Sequence, residues 1–179
     1  MGTDTATNEA FLRATMGSMD LVYNVARRLV RRREDVEDLV QETYLAAFRA
    51  WKDHRRPERV EPWLATICLN LARSRFRRLS VRPEEVALGE TVEATRTAPD
   101  DPEKEAIGTV EREELYRAMW ELPEEQRVAL TLVDLSGLTT AEAADVMRTP
   151  RGTVLSRLHR GRRALAVLLA DPITEVTDR

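Results

Sequence analysis

The stretch from residue 122 to residue 165 constrains the fold most strongly, because capping signals divide it into three helices. The pair Ser136-Gly137 ends the first helix. Thr139, followed three residues later by Glu142, forms a capping box that opens a second helix. Thr149-Pro150 then supplies an N-cap and a proline at the first position of a third helix. A short helix, a tight turn and a longer helix predict a helix-turn-helix.

Apolar residues recur at helical spacing in all three helices, which predicts one inward face on each. Pro123 suits the first turn of the first helix. The predicted inward residues are Val128, Leu132 and Leu135 in the first helix, Ala143, Ala144 and Met147 in the second, and Val154, Leu158, Leu165 and Leu168 in the third. Gly161 lies inside the third helix, where it costs roughly 1 kcal/mol relative to Ala. Close packing or DNA approach would account for it.

Charge is segregated along the chain, although the formal net charge is only −3. Five arginines and no acid lie between residues 68 and 82, and six arginines and no acid lie between residues 148 and 163. Residues 83–114 hold eleven acids against three basic residues. Because salt screens each field within about 8–10 Å, the two basic segments can bind phosphate locally. The alternative for residues 148–163 is a basic, solvated helix, but such helices usually mix signs to form i,i+4 pairs.

Composition and periodicity together predict an all-α protein of two small helical domains. Of its 179 residues only seven are glycine, and Ala, Leu, Glu and Arg are abundant. Helical periodicity extends over residues 9–80 and resumes near residue 105. Between them, prolines and acids occur without a sustained apolar period. We therefore predict a first domain at residues 9–80, a flexible acidic linker at residues 81–104 and a helix-turn-helix domain at residues 105–170.

Several classes of function are disfavoured by the sequence. No apolar run approaches the ~20 residues that cross a bilayer, and the polar, acidic N-terminus does not resemble a secretory signal. Cys68 is the single cysteine, so no internal disulfide can form, which agrees with a reducing cytoplasm. His54, Cys68 and His159 have no recognised metal or nucleophile spacing, and no glycine-rich phosphate loop occurs. We expect a cytoplasmic protein that is not an enzyme and needs no metal or cofactor.

The third helix of the C-terminal stretch has an outward face suited to DNA. Gly152 allows the DNA backbone to approach closely, and free N–H groups at the helix start can hold a phosphate. Arginine can pair with guanine through two hydrogen bonds, while serine and histidine can contact bases or phosphates. The predicted DNA-binding residues of this helix are Arg151, Gly152, Thr153, Leu155, Ser156, Arg157, His159, Arg160 and Arg163.

Three motifs, in this order, resemble the bacterial extracytoplasmic-function (ECF) sigma factors, which retain only the second and fourth conserved sigma regions. They are DVEDLVQETYLAAFRAW at residues 35–51, PWLATICLNLARSRFRR at residues 62–78, and LPEEQRVALTLVDLSGLTTAEAADVMRTPRGTVLSRLHRGRRAL at residues 122–165. The resemblance covers most of the chain outside the linker and both tails, and it leans toward the actinobacterial thiol-stress branch. It implies an alternative sigma subunit that directs promoter recognition, DNA melting and transcription initiation.

The resemblance assigns core-polymerase contacts to the segment DVEDLVQETYL. The residues implied are Asp35, Asp38, Leu39, Gln41 and Glu42. Without the resemblance, the residues themselves favour the simpler interpretation that these acids only keep a helix soluble.

The resemblance also implies a site for the minus-ten promoter element. The loop DHRRPERVE, at residues 53–61, resembles the one that holds a flipped base, which needs hydrogen-bond partners and stacking surfaces. In the helix that follows, polar residues lie on one face at i, i+4, i+7 and i+11 and are expected to meet the melted strand. The residues implied are His54, Arg55, Arg56, Thr66, Asn70, Arg73 and Arg77.

By the same resemblance, the helix-turn-helix reads the minus-thirty-five element in the major groove. Leu155 stands where many relatives carry a basic residue, so one groove contact is expected to be apolar. The partners implied are core RNA polymerase, through the clamp of its largest subunit and the flap of the second, promoter DNA and an anti-sigma factor, with no membrane insertion. Through polymerase the chain would associate with the nucleoid. A stand-alone helix-turn-helix regulator is the alternative, but it leaves DLVQETYL unexplained.

Overall fold

The computed structural model describes residues 2–53, 56–80 and 102–170, and all regular structure within these ranges is helical. The helices are α1 (Gly2–Thr15), α2 (Met19–Leu29), α3 (Arg33–Lys52), α4 (Val60–Ser80), α5 (Pro102–Glu121), α6 (Glu124–Leu130), α7 (Thr140–Met147) and α8 (Arg151–Ala170). A 3₁₀ turn at Met16–Ser18 joins α1 to α2, and a π-helical turn at Thr131–Leu135 extends α6. The predicted all-α class is confirmed. Most of the predicted linker, residues 81–101, lies outside the described residues.

Helices α2, α3 and α4 pack on one another and form the centre of the first region. Leu39 of α3 and Leu64 of α4 are 0% exposed there. Phe11 of α1 closes one end of this bundle, because its ring meets Phe48 and Trp51 edge-on, at centroid distances of 5.1 and 5.7 Å. Edge-to-face pairs of this kind add stabilisation beyond the area that they bury.

The helix-turn-helix consists of α7 and α8, with α6 packed against α8. Its capping box is present as predicted: the Glu142 backbone N–H donates to Thr139 Oγ1 at 3.2 Å, and the Thr139 N–H donates to Glu142 Oε2 at 2.8 Å. Arg148, with a left-handed φ of 52°, ends α7. Helix α8 begins at Arg151, one residue after the predicted first position, because the Pro150 carbonyl accepts its first hydrogen bonds.

Leu135, predicted to point inward, is 40% exposed instead. The prediction fails because Thr131–Leu135 forms a π-helical turn, whose wider spacing changes the face on which later residues lie. Gly137, with a left-handed φ of 69°, then turns the chain. Leu138, at 3% exposed, takes a buried position after the turn. The other predicted inward residues of these three helices are buried or packed against the core.

Gly161 has a packing role in the structure. A Cβ at this position would lie 3.0 Å from Leu130 Cδ1 and 3.3 Å from the Cβ of Gln126. The glycine therefore lets α8 approach α6 more closely than any other residue would allow, which accounts for its cost to helix formation.

The first region, which consists of α1–α4, and the second region, which consists of α5–α8, pack against each other. Helix α4 of the first region contacts α7, and α2 contacts both α6 and its π-helical turn. The buried apolar side chains of both regions belong to one continuous cluster.

Candidate nucleic-acid interface

The outward face of α8 carries most of the residues predicted to contact DNA. Seven of the nine are exposed, and these are Arg151, Gly152, Leu155, Ser156, His159, Arg160 and Arg163. Thr153 is half-buried, and its carbonyl accepts a hydrogen bond from Ser156 Oγ at 2.9 Å. This face presents basic, hydroxyl and imidazole groups beside one apolar side chain, since Leu155 is 48% exposed.

The first turn of α8 is open to a ligand. A Cβ on Gly152 would meet nothing within 4 Å, so a phosphate backbone could lie directly against this turn. Arg151 is oriented there by α7, because its Nε donates to Thr140 Oγ1 at 2.9 Å. The first N–H groups of a helix attract anions, and α8 has no acid in its first turn.

The arginines of α8 divide into two groups by their partners. Arg157 is directed toward α6, where it pairs with Glu125, and its side chain is only 14% exposed. Arg162 forms a two-pronged contact with Asp134, at 2.9 and 2.6 Å. Within the described ranges no carboxylate pairs with Arg160 or Arg163. These two guanidinium groups, together with that of Arg151 at the start of the helix, are therefore available to phosphates or bases.

The residues implied for the minus-ten element lie along α4 and the loop before it. Helix α4 is continuous, and Thr66, Asn70 and Arg73 are half-buried along it while Arg77 is exposed. Arg56 is exposed, with its guanidinium carbon 5.2 Å from the centroid of the Trp51 ring. The predicted residues His54 and Arg55 lie outside the described residues.

The residues implied for polymerase binding separate into exposed and buried positions on α3. Asp38, Gln41 and Glu42 are exposed, and Asp35 is half-buried. Leu39 is 0% exposed, so its side chain offers no surface to a partner in this arrangement. It is part of the core that holds α3 in place.

An ion pair and two apolar side chains accompany the acids of α3. Glu42 accepts from Arg75 of α4, at 3.2 Å to Nε and 2.9 Å to Nη2, and this contact raises the pKa of Arg75. Leu45 is 50% exposed and Phe76 is 45% exposed. The sequence reasoning missed both. Leu45 follows Gln41 by four residues and Glu42 by three, so helical spacing alone could have placed it on their face.

Cys68 lies inside the first region and is 0% exposed. Burial raises the pKa of its thiol to about 12. Because the thiolate is the reactive form, we expect this cysteine to react very slowly at neutral pH.

We therefore expect Cys68 to resist iodoacetamide in the folded protein at pH 8 and to react readily in denaturant. Mass spectrometry of the alkylated chain measures this. Rapid modification of the folded chain would contradict the burial of the thiol.

Two other kinds of site are missing from the described ranges. No helix there is long and apolar enough to cross a membrane. No group of three or more His, Cys, Asp and Glu side chains in that part of the chain could hold a metal ion.

A helical region joined to a basic helix-turn-helix is typical of a DNA-binding protein. Comparison with protein families identifies which family of DNA-binding proteins this is. Residues 17–82 match the family model described as Sigma-70 region 2. Residues 112–165 match the model described as Sigma-70, region 4. The first match spans α2, α3 and α4, and the second spans the helix-turn-helix as far as Leu165 of α8.

Curated relatives identify the branch of this family. The ECF RNA polymerase sigma factor SigE of Mycolicibacterium smegmatis is 38% identical over 159 residues, which cover 87% of this chain and 60% of that protein. SigM of Mycobacterium tuberculosis is 34% identical over 148 residues, covering 83% and 71%. The sigma-E factor of Haemophilus influenzae is 32% identical over 136 residues, covering 73% and 72%. The chain belongs to the ECF sigma factors, which are alternative sigma subunits of RNA polymerase.

Solved structures share the fold. The sigma factor RpoE of Bartonella quintana, in complex with the anti-sigma factor NepR, has a TM-score of 0.75 at 24% identity, over 96% of this chain and 99% of that one. CnrH, in complex with the cytosolic domain of CnrY, has a TM-score of 0.64 at 26% identity, over 92% and 91%.

Proposed function

We propose that this chain binds core RNA polymerase and directs it to promoters, where α8 reads a minus-thirty-five element and α4 with the loop before it engages a minus-ten element. The observation that carries the proposal is the outward face of α8, which is exposed and basic. Within the described residues, Arg160 and Arg163 on this face form no ion pair with a carboxylate. The match to both sigma regions supports it.

Within the minus-thirty-five element, each type of side chain on α8 suits a different contact. Arg160 and Arg163 can pair with guanine or with phosphate, and the exposed Leu155 suits a thymine methyl group. The open turn at Gly152 positions the helix against the phosphate backbone.

For polymerase binding, the exposed acids of α3 together with Leu45 supply a mixed surface. Asp38, Gln41 and Glu42 provide charge and hydrogen-bond acceptors, and Leu45 provides apolar area. An apolar centre surrounded by a polar rim is typical of protein interfaces. We propose that this surface of α3 binds the clamp of the largest polymerase subunit and that the second region contacts the flap of the second subunit.

An anti-sigma factor is a further proposed partner. The solved structure of the Bartonella sigma factor, which shares this fold, contains the anti-sigma factor NepR. The chain would act in the cytoplasm with nucleoid-bound polymerase. Its placement in the thiol-stress branch stays a prediction. Cys68 does not support a thiol-sensing role for this chain, because its thiol is buried and its pKa is raised.

Arg160→Ala is expected to weaken promoter binding by about 1–3 kcal/mol if Arg160 reads a base, a loss of roughly five- to 150-fold. The reason is that α8 loses a guanidinium whose charge no carboxylate neutralises, since its Nε donates only to the Ser156 carbonyl. Fluorescence anisotropy with the polymerase holoenzyme and a promoter duplex measures the change.

Arg162→Ala is the matched control, because Arg162 is on the same helix but is held by Asp134. It removes the same charge and should weaken binding much less. Equal losses in the two variants would show that α8 contributes only its charge, and an unchanged affinity for Arg160→Ala would remove that residue from the interface.

Binding to core polymerase separates this function from that of a stand-alone regulator. A sigma subunit should form a one-to-one complex with core polymerase as a monomer, detectable by gel filtration. A helix-turn-helix regulator would bind DNA as a dimer and leave polymerase unbound.

A further inference from the structure

An arginine cluster lies near the C-terminal end of α2, where it faces α5 and α6. It consists of four arginines and two aromatic residues, which are Arg27, Arg28, Arg31, Arg127, Tyr116 and Trp120. The rings of Tyr116 and Trp120 are in edge contact, with their centroids 6.2 Å apart. The guanidinium carbons of Arg27 and Arg28 lie 4.5 and 5.7 Å from the centroid of the Tyr116 ring. Two positive charges therefore lie beside one ring.

The other two arginines of the cluster lie beside Trp120. The guanidinium carbons of Arg127 and Arg31 are 4.0 and 4.7 Å from the centroid of its ring. Arg127 is 7% exposed, and it donates to the backbone carbonyls of Arg28, Leu122 and Trp120 at 2.8, 3.0 and 3.4 Å. Arg31 is exposed and forms neither a hydrogen bond nor an ion pair with any residue that the structure describes. Its guanidinium is therefore available to a ligand.

No carboxylate neutralises the arginine cluster. In the part of the chain that the structure describes, none of its four arginines forms an ion pair. Burial and, second to it, the charge of Arg27 lower the pKa of Arg28 to about 10. Burial also lowers the pKa of Arg127, and the charge of Glu124 opposes that shift. All four guanidinium groups stay protonated at neutral pH, so the cluster holds four positive charges without a paired acid.

The arginine cluster also contains buried donors that have no acceptor. Five buried side-chain atoms of the described residues have no hydrogen-bond partner, and three of them belong to this cluster. These three are the Nε atoms of Arg27 and Arg28 and the indole Nε1 of Trp120. A buried donor without a partner is costly, and in native structures such a group commonly marks a missing water or ion. Because all three atoms are donors beside positive charge, the missing partner is an anion.

The composition of the arginine cluster defines the class of anion. Phosphate oxygens are the acceptors that guanidinium groups bind best, through paired hydrogen bonds. The four guanidinium groups are spread over two rings whose centroids are 6.2 Å apart, so two linked phosphates suit the cluster better than one. Both rings already carry guanidinium groups, which leaves no face for a nucleotide base to stack on. The cluster therefore recognises charge and not a base.

We propose that the arginine cluster is a binding site for a diphosphate group, which reaches it either as free pyrophosphate or as the tail of a nucleotide. The exposed Arg31 and the half-buried Arg27 contact the phosphate oxygens first, since the cluster is open to solvent at these two residues. Arg28 and Arg127, which are buried, add their positive charge from behind. The site is a property of the free chain and goes beyond the proposed function at promoters.

Titration with pyrophosphate, followed by nuclear magnetic resonance, locates the site. The full chain has three tryptophans, Trp51, Trp63 and Trp120, and thus three indole N–H signals. The titration is made without magnesium and at constant ionic strength, because salt screens charge. The Trp120 signal should shift until one pyrophosphate is bound per chain, while those of Trp51 and Trp63 stay in place. A Trp120 signal that does not move, or three signals that move alike, would overturn the proposal.

Arg31→Gln tests the residue that is most accessible to the ligand. It keeps part of the apolar stem over Trp120 and should weaken pyrophosphate binding about tenfold or more, as measured by calorimetry. The matched control is Arg32→Gln, because Arg32 is the next residue and is also exposed, but it pairs with Glu34 at 3.3 Å. The control removes the same charge and should change the affinity much less. Equal losses in the two variants, or no loss for Arg31→Gln, would contradict a built site.

Titration with ADP and with orthophosphate distinguishes the sources of the phosphate. An affinity for ADP equal to that for pyrophosphate would assign the site to nucleotide tails, and a much lower one would assign it to free pyrophosphate. Orthophosphate should bind much more weakly than pyrophosphate, since it offers one phosphate to a cluster that extends over two rings. Equal binding of orthophosphate and pyrophosphate would overturn the assignment to a diphosphate group.

Discussion

Arg127→Met is expected to lower the free energy of unfolding by about 3 kcal/mol, because hydrogen bonds from a charged donor contribute about 1.5–3 kcal/mol each. The substitution keeps an apolar stem of similar length against Trp120. It leaves the Arg28 and Leu122 carbonyls without the donor that satisfies them at 2.8 and 3.0 Å. Urea unfolding followed by circular dichroism measures the loss, and the midpoint of thermal unfolding should fall by about 10 °C.

Arg117→Met is the control for this prediction. Arg117 lies on α5 in the same region, but its side chain is exposed. Its replacement should change stability by less than about 0.5 kcal/mol. If Arg127→Met were as stable as Arg117→Met, the hydrogen bonds from Arg127 to the Arg28 and Leu122 carbonyls would not contribute to the stability of the protein.

Leu132→Ala is expected to cost about 2–5 kcal/mol, because Leu132 is 0% exposed and its loss leaves a cavity. Leu132 lies in the π-helical turn beside α2, so the variant should destabilise the packed arrangement of both regions. Leu135→Ala, three residues later, should cost under about 1 kcal/mol, since Leu135 is 40% exposed.

The pair of leucines is measured by the same urea unfolding. Comparable losses for both variants would mean that Leu135 is inward, as the periodicity of the sequence predicts, and that the π-helical turn does not occur in solution.

Local signals in the sequence were sufficient for the helix-turn-helix. The Thr139–Glu142 capping box and the start of α8 next to Pro150 depend on residues that are close in sequence, and the structure contains both features within one residue of the prediction. The outward face of α8 follows from the same helical spacing, because seven of its nine predicted residues are exposed.

Features that depend on distant residues could not be predicted in this way. The partner of Arg157 is Glu125, 32 residues away, and that of Arg162 is Asp134, 28 residues away. The contact between Arg127 and the Arg28 carbonyl spans 99 residues. The charge pattern of the sequence shows that arginines are abundant. Only the packing of the helices decides which of them already form ion pairs or hydrogen bonds within the protein.

Leu39 illustrates the same difference. The resemblance to the family assigned it to the polymerase interface together with its acidic neighbours. The structure gives it 0% exposure. A motif identifies a helix that contacts a partner, and burial then separates the residues that make the contact from those that hold the helix in place.

Transcription in vitro tests the central claim most directly. Core RNA polymerase would transcribe genomic DNA from the bacterium that encodes the chain, with and without the purified protein, and the 5′ ends of the transcripts would be sequenced. We predict new 5′ ends that share two conserved upstream elements, about 25 base pairs apart, and that are lost when the protein is omitted. A folded protein that binds DNA but yields no new 5′ ends with core polymerase would contradict the account and favour a stand-alone regulator.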